Sequence, residues 1–195
     1  MKFQPLKTLT GLALAATFVV SAGLPVIAAD YIIDPQHSFV QFKTKHLGYS
    51  WLSGRFNSFE GTMQYDPAQG PAAQSINLTI DTASIDSNHA ERDKHLRSAD
   101  FFDVEKHPTA VFTSTGYKGD ANGGTLSGNL TLLGVTKPIS FEIRKIGEGK
   151  DPWGGYRAGF EGTYSLVRSD FGMGYNLGPT AEQIELELMI EAIRQ

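Results

Sequence analysis

From His37 to the C terminus, apolar side chains return at every second residue, and little else in the chain is so regular. A period of two is the signature of a β-strand with one buried face. Val40, Phe42, Thr44 and His46 share a face, against Gln41, Lys43 and Lys45. Gly61, Met63 and Tyr65 oppose Glu60, Thr62 and Gln64, while Phe56 and Phe59 fall out of step, which predicts a bulge at Asn57-Ser58. The same alternation aligns Ile76, Leu78 and Ile80; Ala110, Phe112 and Ser114; Leu126, Leu130 and Leu132; and Ile139, Phe141 and Ile143. It continues through Ala158, Phe160, Tyr164 and Leu166, and ends with Ile184, Leu186, Leu188 and Ile190 against three glutamates. Eight substantial strands follow, with a further short one over 31–34.

The breaks carry turn chemistry: Asp66-Pro67, Asn122-Gly123-Gly124, Gly134 to Pro138, Gly147 to Gly155 and Gly172 to Pro179. One segment escapes the β pattern, SNHAERDKHLRSADFFD at 87–103. Asn88 with Glu91 three residues on fits a capping box, Ala90 to Arg97 suits two helical turns, and Ser98 can cap a further turn through Phe102. Eight antiparallel strands with one short helical insertion between strands 3 and 4 leave three architectures: a two-sheet sandwich, a closed barrel with its apolar face inward, or a membrane barrel with that face outward. Turn-like connections favour an up-and-down barrel. Charges on the polar face and the polar end Glu191-Ala192-Ile193-Arg194-Gln195 disfavour the membrane form.

Lys2 and Lys7 precede an uncharged apolar run, Leu9 to Leu24, and a small-residue site with Val26 and Ala28 at −3 and −1. Residues 1–28 therefore read as a cleaved secretory signal peptide, leaving 29–195 as a single exported domain. Removing those two lysines from 17 basic residues, with 21 acidic ones untouched, leaves a net charge of −6, which argues against nucleic acid or an anionic membrane surface as the main partner; no stable membrane insertion is expected. The chain has no cysteine, so thiol catalysis, iron–sulfur clusters and Cys-based zinc sites are excluded.

No catalytic motif is present, and the chain is not expected to be an enzyme. The Gly-rich stretches at 147–155 and 172–178 lie between strands and so read as hairpin loops rather than phosphate loops. His89 and His95 are six residues apart and point in different directions on a helix, so no metal site is expected. Nine of the twelve phenylalanines cluster in inward-facing or insertion positions, and Gly61, Gly128 and Gly162 fall in the inward register, where missing side chains make room or permit bends. That pattern describes a packed core and a cavity equally well.

HLGYSWLSGRF (46–56), the insertion at 88–103, HPTAVFTST (107–115), LTLLGVTKPI (130–139) and DPWGGYRAGFEG (151–162) closely resemble the YceI-like family of bacterial periplasmic proteins. The resemblance implies an all-β, eight-stranded, lipocalin-like barrel that binds a polyisoprenoid or similar amphiphile in an apolar tunnel. Carried over by residue, the tunnel wall comprises Val40, Phe42, Phe56, Phe59, Leu78, Ile80, Phe112, Leu130, Leu132, Phe141, Phe160 and Tyr164, with Leu96, Phe101 and Phe102 pressing in from the insertion. Parity alone suggests His46, Trp51, His89, Arg92 and Arg168 for a polar mouth; a phosphate would want Arg92, Arg97 or Arg168. The resulting expectation is a soluble periplasmic carrier of a polyprenyl phosphate or isoprenoid quinone, with that lipid as ligand and no cofactor; a homodimer is compatible with the sequence. The alternatives are an enzyme using His89 or His95 on a bound amphiphile, or a periplasmic metal or stress-response protein using the insertion's histidines.

Overall fold

The computed structural model describes Met1, residues 28–66 and residues 75–195, so the expected leader falls almost wholly outside the described residues, as does Pro67 of the expected Asp66-Pro67 turn. Eleven strands build eight barrel staves. β1 (Ala29–Ile33) and β2 (Phe39–His46) form one, broken at 34–38. β3 (Ser50–Phe56) and β4 (Phe59–Tyr65) form the next, and β5 (Ser75–Asp81) with the two-residue β6 (Ile85–Asp86) the third. The helix α1 (Ala90–Arg97) follows, then β7 (Thr109–Gly119), β8 (Gly123–Leu132), β9 (Val135–Lys150), β10 (Tyr156–Val167) and β11 (Gln183–Arg194).

Consecutive staves pair antiparallel throughout, and the ladder closes because β11 is long enough to serve two partners. Its first half pairs with β2, Leu186 opposite Phe42 and Leu188 opposite Val40. Its last residues pair with β1, Ile193 opposite Ile32. The barrel is thus closed and eight-stranded, and the sandwich is set aside.

The strand breaks sit where the alternation stumbles. Phe56 and Phe59 are both buried, an odd spacing made possible by the two-residue interruption between β3 and β4. Most of β3 is missing from the alternation read in the sequence, which stops at Leu47 and resumes at Arg55; the chain turns tightly at 47–49 and runs straight back along β2. The turn expected over Gly134–Pro138 shrinks to Leu133 and Gly134, both at positive φ (52° and 73°), as a two-residue hairpin of this twist requires. Pro138 sits inside β9 opposite Asn129. The inward glycines do not leave holes: a Cβ at Gly128 would lie 2.5 Å from Phe112 Cε2, and one at Gly54 would lie 2.5 Å from Phe42 Cζ. The missing side chains let neighbouring rings lie flat against the wall.

Side chains divide the interior into two regions. At one end Tyr31, Met63, Tyr65, Ala158 and Ala192 form a compact plug with Phe160 packed on it. Tyr65 meets Tyr31 and Phe160 edge to face, with ring centres 6.0 and 5.3 Å apart. The larger cluster, from Val40 and Phe42 round to Phe141 and Leu166, lines the rest.

The break between β1 and β2 is held by charge. Arg157, on β10, donates to Asp34 Oδ2 at 2.7 Å, Glu191 Oε1 at 2.5 Å and Asp151 Oδ2 at 2.9 Å. His37 Nδ1 lies 2.7 Å from the same Asp34 oxygen. Burial would raise the Asp34 pKa, but the hydrogen bonds from His37 and Arg157 outweigh it and hold the carboxyl at about 2. A carboxyl lowered on folding stabilises the protein above its unfolded pKa of about 3.9, and that stabilisation fades as pH falls toward 2. Arg157→Met should therefore shift acid unfolding, followed by circular dichroism between pH 5 and 2, to higher pH; an unchanged acid limb would remove this junction from the account of stability.

Candidate functional site

Beyond the plug the barrel is hollow. A cavity of about 800 Å³ runs along its axis and opens at the end carrying α1, the β2–β3 hairpin tip and the 168–182 connection. None of Tyr31, Met63, Tyr65 or Phe160 borders it, so it stops short of the plug. Its wall is almost entirely hydrocarbon. Every strand that reaches this end contributes, including Val40 and Phe42 (β2), Leu52 and Phe56 (β3), Leu78 and Ile80 (β5), Ala110 and Phe112 (β7), Leu130 and Leu132 (β8), Ile139 and Phe141 (β9), Tyr164 and Leu166 (β10), and Ile184, Leu186 and Leu188 (β11). The period of two aims these side chains inward and their polar neighbours at solvent. The void persists because a tube of eight staves is wider than its inward side chains can fill where no plug of tyrosines occupies the axis. Tyr164 brings a phenol to the wall; burial, with the Asp170 charge, raises its pKa, so the hydroxyl stays neutral.

The insertion forms one side of the mouth. α1 is almost uniformly polar, so intrinsic amphipathicity does not hold it in place. Its ends are well chosen: His89 caps it, Nδ1 accepting from Arg92 N at 3.3 Å, Glu91 and Asp93 stand in the first turn, and Lys94, His95 and Arg97 in the last. The expected Asn88 capping box is thus displaced by one residue; Asn88 adopts a positive φ and donates its N–H to Asp86 Oδ1. Three side-chain anchors then fasten the helix. Buried Asp93 accepts from Ser87 N at 2.8 Å and from the Ser87 hydroxyl. Arg97 donates to the carbonyls of Ala83 and Ile85, both at 2.6 Å. Leu96, Phe101 and Phe102 turn into the bore, Phe102 meeting Phe56 edge to face at 5.6 Å. Across the mouth, the rings of His95, Phe101 and Tyr175 form a mutual cluster with centres 5.0 to 5.2 Å apart, tying the insertion to the 172–178 loop.

Thirteen of the fifteen residues expected on the tunnel wall border the cavity: Val40, Phe42, Phe56, Leu78, Ile80, Leu96, Phe101, Phe102, Phe112, Leu130, Leu132, Phe141 and Tyr164. Phe59 does not; it is buried in the surrounding core, because the β3–β4 break moves it behind the wall. Phe160 is a correction too, since it belongs to the plug at the closed end. Of the expected polar mouth, His46 and Arg92 stand at the rim. Trp51 points away from the bore, its ring 5.4 Å from Lys43 Nζ and 5.5 Å from Lys45 Nζ. His89 is the helix cap and does not border the cavity. Arg168 borders it but is buried, donating to Ala181 O at 3.0 Å and Met173 O at 2.7 Å and pairing with Glu182, so its donors serve the fold. Arg97 is likewise committed to backbone carbonyls.

Sequence reasoning passes over Leu52, Met173, Tyr175 and Leu177. Leu52 is lost with β3, and the other three sit on a loop with no periodicity to reveal them. The rim is completed by Lys45, Glu91, His95 and Asn176. A trio of side chains of metal-ligating type among the described residues, Asp34, His37 and Glu191, lies at the β1–β2 break, contains no histidine of the insertion, and has the Arg157 guanidinium bonded to both of its carboxylates.

The YceI-like domain family matches residues 31–192. A UPF0312 protein of Pseudomonas aeruginosa (strain LESB58) is 53% identical over 191 residues, 97% of this chain and 98% of that protein. A UPF0312 protein of Ectopseudomonas mendocina (strain ymp) is 55% identical over 188 residues, 94% and 98% of the two chains. Among solved structures, the Campylobacter jejuni YCEI protein aligns with a TM-score of 0.70 at 32% identity, covering 77% of this chain and 90% of that one. A polyisoprenoid binding domain from Saccharophagus degradans aligns with a TM-score of 0.65 at 16% identity over 86% and 99% of the chains, a likeness of fold.

The buried Ser87–Asp93 contact makes a direct prediction. Asp93→Ala leaves the Ser87 N–H and hydroxyl without their acceptor, a loss of about 1–3 kcal/mol. Hydrogen exchange should show α1 amides deprotected while the β7–β10 ladder keeps its protection; equal loss across both would contradict a locally anchored insertion.

Proposed function

The chain belongs to the YceI-like family, and from that membership and the shape of its bore we propose that it is a periplasmic carrier holding one long amphiphile, an isoprenoid chain in the bore and a polar end at the rim. The observation that carries this reading is the cavity: about 800 Å³, stopping short of the tyrosine plug, almost wholly apolar along its wall and with its charged side chains at the open end. That volume falls within the range of ligand pockets, roughly 300–1,000 Å³. An apolar tube with a polar rim suits a molecule that is itself a long apolar tail with one polar end. The polyisoprenoid binding described for the Saccharophagus degradans domain supports the same ligand class. Each methylene-sized group removed from water contributes about 0.8 kcal/mol, against which chain ordering and lost translational freedom count heavily. The leader read from residues 1–28 supports the periplasm.

The head group meets what the rim leaves free. With Arg97 and Arg168 bonded to backbone carbonyls and Arg92 to the Ser87 hydroxyl and carbonyl, Lys45 is the rim cation left to meet a polyprenyl phosphate, and His46 or the neutral Tyr164 hydroxyl the donors for a quinone. Native mass spectrometry of protein purified from its own periplasm should find a bound prenyl lipid. Ala110→Phe and Leu188→Trp, which narrow the bore, should cut uptake of polyprenyl phosphate or isoprenoid quinone at least roughly tenfold while circular dichroism stays β-barrel-like. Empty protein on repeated isolation, with no uptake of either lipid, would end the carrier reading.

One observation favours a second reading. His95, at the rim, has Nε2 2.9 Å from Asp100 Oδ2, the arrangement of an imidazole oriented by a carboxylate, which can serve as a general base. His95→Gln discriminates: a carrier keeps ligand uptake and shows no turnover in either form, whereas turnover by the parent that vanishes in the variant would establish catalysis.

A further inference from the structure

Exposed large apolar residues occur on the flank of the barrel (Ile32, Phe39) and at its closed end (Ile146, Trp153), but six of them gather at the open end: Leu47, Tyr49, Trp51, Val135, Tyr175 and Leu177. Leu47, Tyr49 and Trp51 belong to the β2–β3 hairpin; a Cβ on Gly48 at its tip would lie 3.8 Å from Thr180 Cγ2, next to the loop that carries Tyr175 and Leu177. Leu47, Tyr175 and Leu177 also border the bore, so the exposed collar runs without a break into the cavity wall. Tyr49 is 87% exposed and Trp51 51%, a cost in water that a fold with this much buried hydrocarbon has no packing reason to bear. Cations accompany them: among the described residues Lys45, beside Trp51, has no carboxylate partner, and the Arg92 guanidinium donates only to Ser87.

Tryptophan, tyrosine and lysine together are the side chains that settle at a phospholipid headgroup layer, rings at the boundary and ammonium groups among phosphates. We infer that this collar is a docking surface for a phospholipid bilayer, its rings and Lys45 seating the open mouth of the bore directly on the membrane against the net negative charge of the chain as a whole. A second copy of the chain is the competing occupant, and a self-association measurement separates it from the bilayer. The inference rests on the carrier reading for its purpose: an amphiphile leaves a bilayer tail-covered only if the mouth reaches the surface it leaves.

The chain supplies its own control, because its second tryptophan, Trp153, sits 80% exposed in the β9–β10 turn at the closed end. Trp153→Phe leaves Trp51 as the sole tryptophan, and Trp51→Phe leaves Trp153. With vesicles of phosphatidylcholine and phosphatidylglycerol carrying brominated chains, Trp51 emission should be quenched severalfold and Trp153 emission unchanged. Adding Tyr49→Ser and Lys45→Glu to the Trp51-only protein should weaken vesicle binding roughly tenfold. Equal quenching of both tryptophans, or of neither, overturns the inference. So does self-association abolished by Tyr49→Ser in a protein that ignores vesicles. Uptake of an isoprenoid quinone from detergent micelles is measured alongside: uptake with unquenched Trp51 removes the docking surface alone, whereas quenched Trp51 without uptake removes the carrier and supports the docking surface.

Discussion

The ladder that β11 makes with both β1 and β2 turns a sheet of eight staves into a tube, and the remaining architecture follows from it. A strand left unpaired presents a row of backbone donors and acceptors that must find partners or water. Closure satisfies them internally and fixes the diameter, because strand number and tilt set the width of a barrel. Inward side chains then either meet across the axis or leave a gap. Here both outcomes occur in one tube: large tyrosines meet at one end, and aliphatic side chains fall short of one another at the other.

Closure has a local requirement. One stave must switch from pairing in the open half to pairing in the plugged half, and the 34–38 break between β1 and β2 makes that switch. The interruption exposes backbone and crowds three carboxylates, Asp34, Asp151 and Glu191. Arg157 answers all three from β10, one stave beyond β11, while the Ser38 hydroxyl accepts from Glu191 N at 2.9 Å. An arrangement that superficially offers a metal its ligands is therefore better understood as the fastening of a strand junction.

At the open end the polar insertion is not a helix looking for an amphipathic face. α1 is placed by individual anchors, Asp93 to Ser87 and Arg97 to two carbonyls, and only Leu96 and the residues after the helix, Phe101 and Phe102, carry the apolar contact. The same logic withdraws arginines from the mouth. Arg97 and Arg168 look available in sequence, yet both donate to backbone carbonyls at chain reversals, where an unpaired C=O would otherwise be buried. Arg92, at the rim, is bonded in the same way to the Ser87 hydroxyl and carbonyl, and what remains for a polar guest is Lys45, His46 and His95.

The strand count, the inward faces, the helix over Ala90–Arg97 and most of the bore wall are legible in the sequence, because period two is local: each residue's side is set by its neighbours along the chain. β3 is not, since Ser50–Phe56 gains strand conformation from pairing with β2 rather than from its own pattern. Nor is the fate of Phe59 and Phe160, one buried in the core without bordering the cavity and the other packed on the plug. Which direction a side chain faces is decided by its own strand. Whether it meets a partner across the axis, faces a void, or gives its donors to a distant carbonyl depends on residues far away in sequence, and only the closed tertiary structure brings those together.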